Sequence, residues 1–169
     1  MRLRNLELGD LWLYERIQGD ARMMEHLGGP LPLDGLEEKL ARDVASTARD
    51  ESWVLVILPE DGTDAVAGSV SVWEHEWHGD RIAEIGWMVL PEFQGHGVGS
   101  RAVRSVLDRA RAEGRWGAVH AFPPTSNPAS NAMCRTLGFT FIEECDFTFR
   151  DRPLRCNHWV VDLSSPTTA

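Results

Sequence analysis

The sequence predicts an α/β fold, a three-layer sandwich of helices on both faces of a mixed sheet. Three observations carry that expectation. Between Ser52 and Leu90, apolar runs of strand length follow one another with turn residues between them, as in an antiparallel meander. From Trp87 to Arg104, WMVLPEFQGHGVGSRAVR, an apolar strand enters a glycine turn and then an amphipathic helix. Beyond that helix come a strand, a capped short helix and a closing hairpin, so strands and helices alternate through the second half of the chain.

Taken in order, Arg2 to Glu7 alternates and reads as a first strand. A helix follows from about Asp10 to Gln18, with Asp10 as its N-cap. Gly19 to Pro32 is loop with a short helical piece. Asp34 to Arg49 places Leu36, Leu40, Val44 and Thr47 at spacings of three and four, the stripe of a second helix. Ser52 to Pro59, Ala65 to Trp77 and Ile82 to Leu90 form the meander, with Glu60-Asp61-Gly62 and Gly79-Asp80 as turns. After the glycine loop, Val98, Ala102, Val103, Val106, Leu107 and Ala110 make the apolar stripe of a helix that ends near Gly114. Trp116 to Phe122 is the next strand. Asn127 suits an N-cap, Pro128 the first helical position, and Gly138 a left-handed helix stop. Residues 139 to 149 and 154 to 163 close the chain as a hairpin. No repeat or linker divides the sequence, so residues 1 to 163 read as one domain with a loose tail, 164 to 169.

Composition narrows the function. A chain of 169 residues with 43% hydrophobic content can bury one sizeable core. Its apolar runs are too short to cross a bilayer, and the start, MRLRNLELGD, lacks the apolar centre of an export signal. Cys134, Cys145 and Cys156 are odd in number and form no CxxC pair, so reduced thiols and a cytoplasmic location are expected. A net charge of −9 argues against nucleic acid and favours a cationic amine. No membrane partner is expected.

Gly95, Gly97 and Gly99 remove Cβ atoms where the backbone turns, and the following helix leaves its first N–H groups unpaired. With the helix dipole, those groups favour a phosphate or diphosphate. A P-loop would need a Gly-Lys-Ser/Thr ending, and this loop contains no lysine; a dinucleotide fingerprint fits only loosely. A turn that merely joins strand to helix is the plain alternative. Gln94-Gly95-His96-Gly97-Val98-Gly99 instead resembles the Gln/Arg-x-x-Gly-x-Gly/Ala loop of the GNAT N-acetyltransferases. Asn127-Pro-Ala-Ser130-Asn131-Ala-Met-Cys134-Arg-Thr-Leu137-Gly138-Phe139 resembles that family's closing helix. The resemblance spans roughly Arg2 to Asp162, its specific motifs lie between residues 84 and 139, and they look most similar to the ribosomal-protein N-terminal acetyltransferase branch.

The resemblance implies acetyl-CoA as co-substrate, with its diphosphate on Gln94, Gly95, His96, Gly97, Val98, Gly99 and Ser100, and Asn127 nearby. It also implies a sheet splayed between residues 82 to 90 and 116 to 122, where the pantetheine arm pairs with the backbone near Met88 and Leu90. An amine of pKa about 10 needs a base before it attacks a carbonyl; Glu84, on a strand where the family often carries a carboxylate, is the candidate, against a plain structural ion pair. The oxyanion donor would be an N–H near Met88 or Val89. Where many members carry a tyrosine, seven residues after the asparagine, this chain has Cys134. A buried cysteine more often only packs, so Cys134 and Ser130, one helical turn earlier, share the acid assignment with water.

The cluster Glu74-His75-Glu76-Trp77-His78 invites a metal reading, but alternation sets His75 opposite its neighbours and no HExxH or paired Cys/His spacing supports one. It reads as an exposed hairpin, with Glu74, Glu76 or His78 as an alternative border of the acceptor groove. His120 is a second possible base or a core histidine. Trp73, Trp77 and Trp87 are expected to pack in the core, with an aromatic acceptor pocket as the alternative, and Met23, Met24, His26 and Leu27 fall where the family varies its acceptor wall. The expected activity is direct transfer of acetyl to a primary amine. The alternatives are a protein N-terminus as acceptor, or a CoA-binding sensor without turnover; a homodimer is suggested by the family alone.

Overall fold

A computed structural model describes residues 1–59 and 65–164, so the turn expected at Glu60-Asp61-Gly62 and the tail after Ser164 lie outside the described residues. Seven strands form one sheet among those residues: β1 (Arg2–Asn5), β2 (Trp53–Leu58), β3 (Gly68–Trp77), β4 (Asp80–Val89), β5 (Ala118–Ala121), β6 (Thr140–Phe149) and β7 (Arg152–Asp162). Their order is β1-β2-β3-β4-β5-β7-β6, antiparallel throughout except for β4 beside β5. The helices are α1 (Leu11–Gly19), α2 (Leu36–Ala48), α3 (Val98–Ala112) and α4 (Pro128–Thr136). The three-layer expectation holds, and no described helix is long and apolar enough to cross a membrane.

Both sheet faces are covered, which is why β2, WVLVIL, is buried at every position. On one face Leu55, Ile57, Val70, Val72, Ile85 and Val119 pack with Ala102, Val103 and Val106 of α3. On the other, Val54, Val56 and Leu58 meet Leu13 and Ile17 of α1 and Leu36 and Leu40 of α2.

Two details differ from the sequence reading. The β3–β4 turn is centred on His78 and Gly79, φ 51° and 88°, because a two-residue hairpin with the twist of its strands needs two left-handed residues. His78 therefore leaves the strand and stacks on Trp77. Asp10 does occupy the residue before α1, yet its carboxylate accepts from Arg4 at 2.7 and 2.8 Å and from the Glu7 N–H at 2.8 Å, so it does not cap the helix. A single 3₁₀ turn, Leu8–Asp10, turns the side chain back towards β1.

The parallel pairing of β4 with β5 stops after Ala83–Val119 and Glu84–His120. Pro123 and Pro124 follow β5 and carry no N–H with which to continue it. The chain there bonds to β7 instead: Asn157 N–H donates to Pro123 O and Thr125 N–H to Arg155 O, each at 2.9 Å. Asn131 of α4 secures the departure. Its amide nitrogen donates to Pro124 O and Asn127 O, and its oxygen accepts from Asn157 and Trp159 of β7. All of its hydrogen-bonding capacity within reach is used, as a buried amide requires.

On the opposite edge of β4, Gly68 at φ +147° lets β3 cross close to its neighbour, since a Cβ there would lie 1.9 Å from Met88 O. Gly68→Ala should lower unfolding stability by about 3 kcal/mol, from the strained dihedral and the backbone clash. A urea melt that gives an unchanged midpoint would contradict this.

Candidate active site

Where β4 and β5 part, main-chain groups of β4 face open space. Leu90 N–H donates to Ala67 O at 2.8 Å, and Met88 O lies against Gly68. Antiparallel ladders alternate, so the even-numbered amides of β4 serve β3, while those of Trp87 and the N–H of Val89 point to the gap. Parity thus leaves Trp87 and Val89, rather than Met88 and Leu90, with main-chain groups open to the gap. Leu90 is fully buried, and Val89 O accepts from Gln94 Nε2 at 2.8 Å.

A cavity runs from this gap across the α1/α2 face of the sheet. Ala121, Phe122, Asn127 and Ser130 line one wall, and Trp73, Glu84, Gly86 and Met88 line its floor. Met23, Met24, His26 and Leu27, expected at the acceptor wall, do line it, together with Tyr14, Lys39 and Asp43. The loop carrying these residues is held at two points. Arg152 donates to the carbonyls of Gly28, Gly29 and Pro30 at 2.5 to 3.0 Å, and His26 Nδ1 lies 3.1 Å from Ser126 Oγ. Trp73 reaches the cavity floor because Gly86, its diagonal neighbour on β4, has no side chain; a Cβ there would stand 3.2 Å from the indole.

Glu84 is 7% exposed and its Oε2 lies 2.7 Å from His75 Nε2. Burial raises the carboxyl, and the bond to Glu84 raises the imidazole, so the pair keeps hold of a proton. On the same face His120 pairs with Glu84 in register, and its Nδ1 sits 2.8 Å from His158 Nε2. His158 Nδ1 is buried without a partner. Tyr14 donates to Asp43 at 2.6 Å; burial and that carboxylate raise the phenol, and Lys39 pairs with the same carboxylate.

At the glycine loop, Gly95 and Gly97 adopt φ 77° and 69°, left-handed values that glycine takes without cost. The first helical bond of α3 is Arg101 N–H to Gly97 O, so the N–H groups of residues 95 to 100 have no carbonyl partner among the described residues. Gly99 allows close packing; a Cβ would stand 3.1 Å from Val89 and 3.6 Å from Met133 Sδ. Unpaired amides at a helix start, with no acidic side chain in the first turn, fit a diphosphate.

The acetyltransferase (GNAT) domain model matches residues 1–140. The chain belongs to the GNAT acetyltransferase family. No curated protein sequence matches it. Similar solved structures include spermidine N-acetyltransferase from Vibrio cholerae with CoA and spermine, 21% identical over 96% of this chain and 95% of that one, TM-score 0.77. Ribosomal-protein-alanine N-acetyltransferase from Brucella melitensis is 23% identical over 96% and 99%, TM-score 0.74. A Salmonella typhimurium acetyltransferase that modifies the N-terminal serine of ribosomal protein L7/L12 is 16% identical over 95% and 93%, TM-score 0.76.

Against this GNAT framework the residues singled out in the sequence separate. Glu84, Met88, Asn127 and Ser130 line one cavity, and Asn127 caps α4 by accepting from Ser130 N–H at 3.0 Å. Cys134 does not line it. The thiol is 0% exposed in the core beneath α4, where burial pushes it up to about 12, too weak an acid to protonate a thiolate. Glu74 lies on the other face of β3, bound to Arg81 and Trp116, and so cannot border the groove. Among the described residues, no group of three or more His, Cys, Asp or Glu is placed to hold a metal ion. The sequence reading missed the bond of His75 to Glu84, although alternation had already set His75 on the face opposite Glu74.

The histidines set a pH dependence with a definite sign. Burial, then the nearby His158 and His75, push His120 down to about 4, and burial lowers His158. Both rings stay neutral in the folded chain at pH values where the unfolded chain protonates them. Between roughly pH 4 and 6.5 the unfolded state binds more protons, so their contribution is present above that window and is lost as pH falls through it. His75 has the opposite sign, its contribution fading as pH rises. Urea melts from pH 4.5 to 7 should show a less positive slope of stability against pH in His120→Asn than in the wild type, because the share that rises with pH is removed while the opposing shares of His75 and Glu84 remain; an unchanged slope in that variant would contradict the assignment.

Proposed function

We propose that this chain transfers an acetyl group from acetyl-CoA to a small primary amine by direct attack within a ternary complex. The observation that carries the reading is the buried Glu84 carboxylate on the floor of a cavity that continues into the β4–β5 gap. The diphosphate would rest on the free amides between Gly95 and Ser100, and the pantetheine arm would add to the exposed edge of β4 at Trp87 and Val89 as a strand adds to a sheet.

With the thioester in the gap, Val89 N–H is the donor for the oxyanion and Glu84 the acceptor for the amine proton. Ser130 or water returns a proton to the departing thiolate, since Cys134 is confined to the core. The loop that lines the cavity at Met23, Met24, His26 and Leu27, tethered by Arg152 and by His26 with Ser126, narrows the space for an acceptor and favours a small amine over a polypeptide N-terminus. A carboxylate aligned with the gap has no purpose in a sensor that only binds coenzyme A. The unpaired cysteines suit a reducing, cytoplasmic setting.

Isothermal titration should detect one acetyl-CoA per chain, and Gly97→Trp, which blocks the loop, should weaken binding at least tenfold. Binding unaffected by that change would remove the loop from the site. With the chain supplied with acetyl-CoA and a panel of polyamines, aminoglycosides and short peptides, free thiol should appear with a small amine. In Glu84→Gln, kcat should fall about 10²- to 10⁴-fold with acetyl-CoA binding retained; undiminished kcat would exclude Glu84 as base.

A further inference from the structure

Each transfer from an ammonium substrate must dispose of a proton. Two N–H protons leave the nitrogen; the C–N bond forms, the C–S bond breaks, and one proton ends on the thiol of coenzyme A. The other, taken by Glu84, has to reach water before the next cycle. Glu84 is 7% exposed, so the carboxylate has little direct contact with solvent.

We infer that His75 is the proton exit of this site, a positioning and relay residue that carries the proton from the buried Glu84 carboxylate to bulk water. The inference rests on the assignment of Glu84 as base. The geometry supplies the route. His75 Nε2 lies 2.7 Å from Glu84 Oε2, its Nδ1 lies 3.1 Å from the carbonyl of Glu76, and its side chain is 27% exposed. A carbonyl oxygen only accepts, so Nδ1 carries a proton. The short Nε2 to Oε2 contact then holds a second proton, shared between ring and carboxylate. The resting pair therefore bears one shared proton and no net charge.

The amine proton arrives on the free oxygen of Glu84, and the pair becomes singly positive. The imidazolium then gives its Nδ1 proton to water, which leaves one proton on Nε2 and one on Glu84, and return of a proton from water to Nδ1 as Glu84 gives up its own restores the resting arrangement. Atoms and charge return to the start. The other titratable groups facing Glu84 are poorly suited to this route. His120 on β5 is desolvated and bonded to the buried His158 of β7, and the Cys156 thiol of β7 is buried and raised to about 12. Across the cavity, Asp43 is already engaged by Tyr14 and Lys39.

The test is a pH–rate profile of His75→Gln and His75→Gly, measured with acetyl-CoA and whichever panel amine is turned over. A glutamine amide can still donate to Glu84, so a residue that only orients the carboxylate would tolerate this change. The inference predicts kcat lowered about tenfold or more in His75→Gln, with KM for acetyl-CoA and thermal stability near wild type. It predicts that added imidazole accelerates His75→Gly and leaves the wild type unaffected. Undiminished kcat in His75→Gln overturns the relay while Glu84 stands as base, and so does a slow His75→Gly that imidazole leaves slow. Full activity in Glu84→Gln overturns the base and the relay together. Should His75→Gly fail to fold, the His75→Gln profile and its solvent isotope effect decide alone, a larger isotope effect than wild type being required.

Discussion

Parallel pairing between β4 and β5 ends after two residue pairs, and the site depends on that interruption. A ladder continued by five more residues would consume the amides of Trp87 and Val89 and close the cavity at Ala121. Two local facts prevent it. Pro123 and Pro124 have no N–H to offer, and Asn131 ties their carbonyl side to α4 and β7. The unpaired edge is tolerable because the gap is a cavity wall, where water or a ligand can meet the free groups, and not dry core.

The same opening explains how charge is distributed. The face of the sheet beneath α1 and α2 carries His75, Glu84, His120 and His158 on adjacent strands, next to an otherwise apolar core. Such groups are costly to bury. Here Glu84 is neutralised by its histidine, and His120 shares a proton with His158. The histidines shift in opposite directions: the bond to the Glu84 carboxylate favours the His75 imidazolium, whereas burial first, and the neighbouring imidazoles after it, hold His120 down. A buried carboxyl that exchanges its proton through a partly exposed ring is suited to repeated proton uptake; a solvated one would need no partner, and a sealed one could not reset.

Much of this was legible in the sequence. Helical stripes such as Val98, Ala102, Val103, Val106, Leu107 and Ala110 are all buried as the spacing requires, and Gly95 and Gly97 take the left-handed values the loop pattern demands. What was not legible depends on two elements at once. The parity of β4, which exchanges Met88 and Leu90 for Trp87 and Val89, follows from a bond to Ala67 on another strand. The fate of Cys134 depends on which side of α4 meets the sheet. The partner of Glu84 sits nine residues earlier on β3 and is brought close only by the hairpin register, which the His78-Gly79 turn sets. Pro123 and Pro124 did stand in the sequence as a sign that β5 must end, and their adjacency to a strand predicted to splay is the clue that was available.

On the proposed function the gap between β4 and β5 receives the thioester arm, and a crystal structure of the chain with acetyl-CoA decides whether it does. Pantetheine density is expected along Trp87 to Val89, with the thioester carbonyl within hydrogen-bonding distance of Val89 N–H and Glu84 facing it across the cavity. Coenzyme bound elsewhere, or β4 and β5 paired continuously past Glu84, would contradict it.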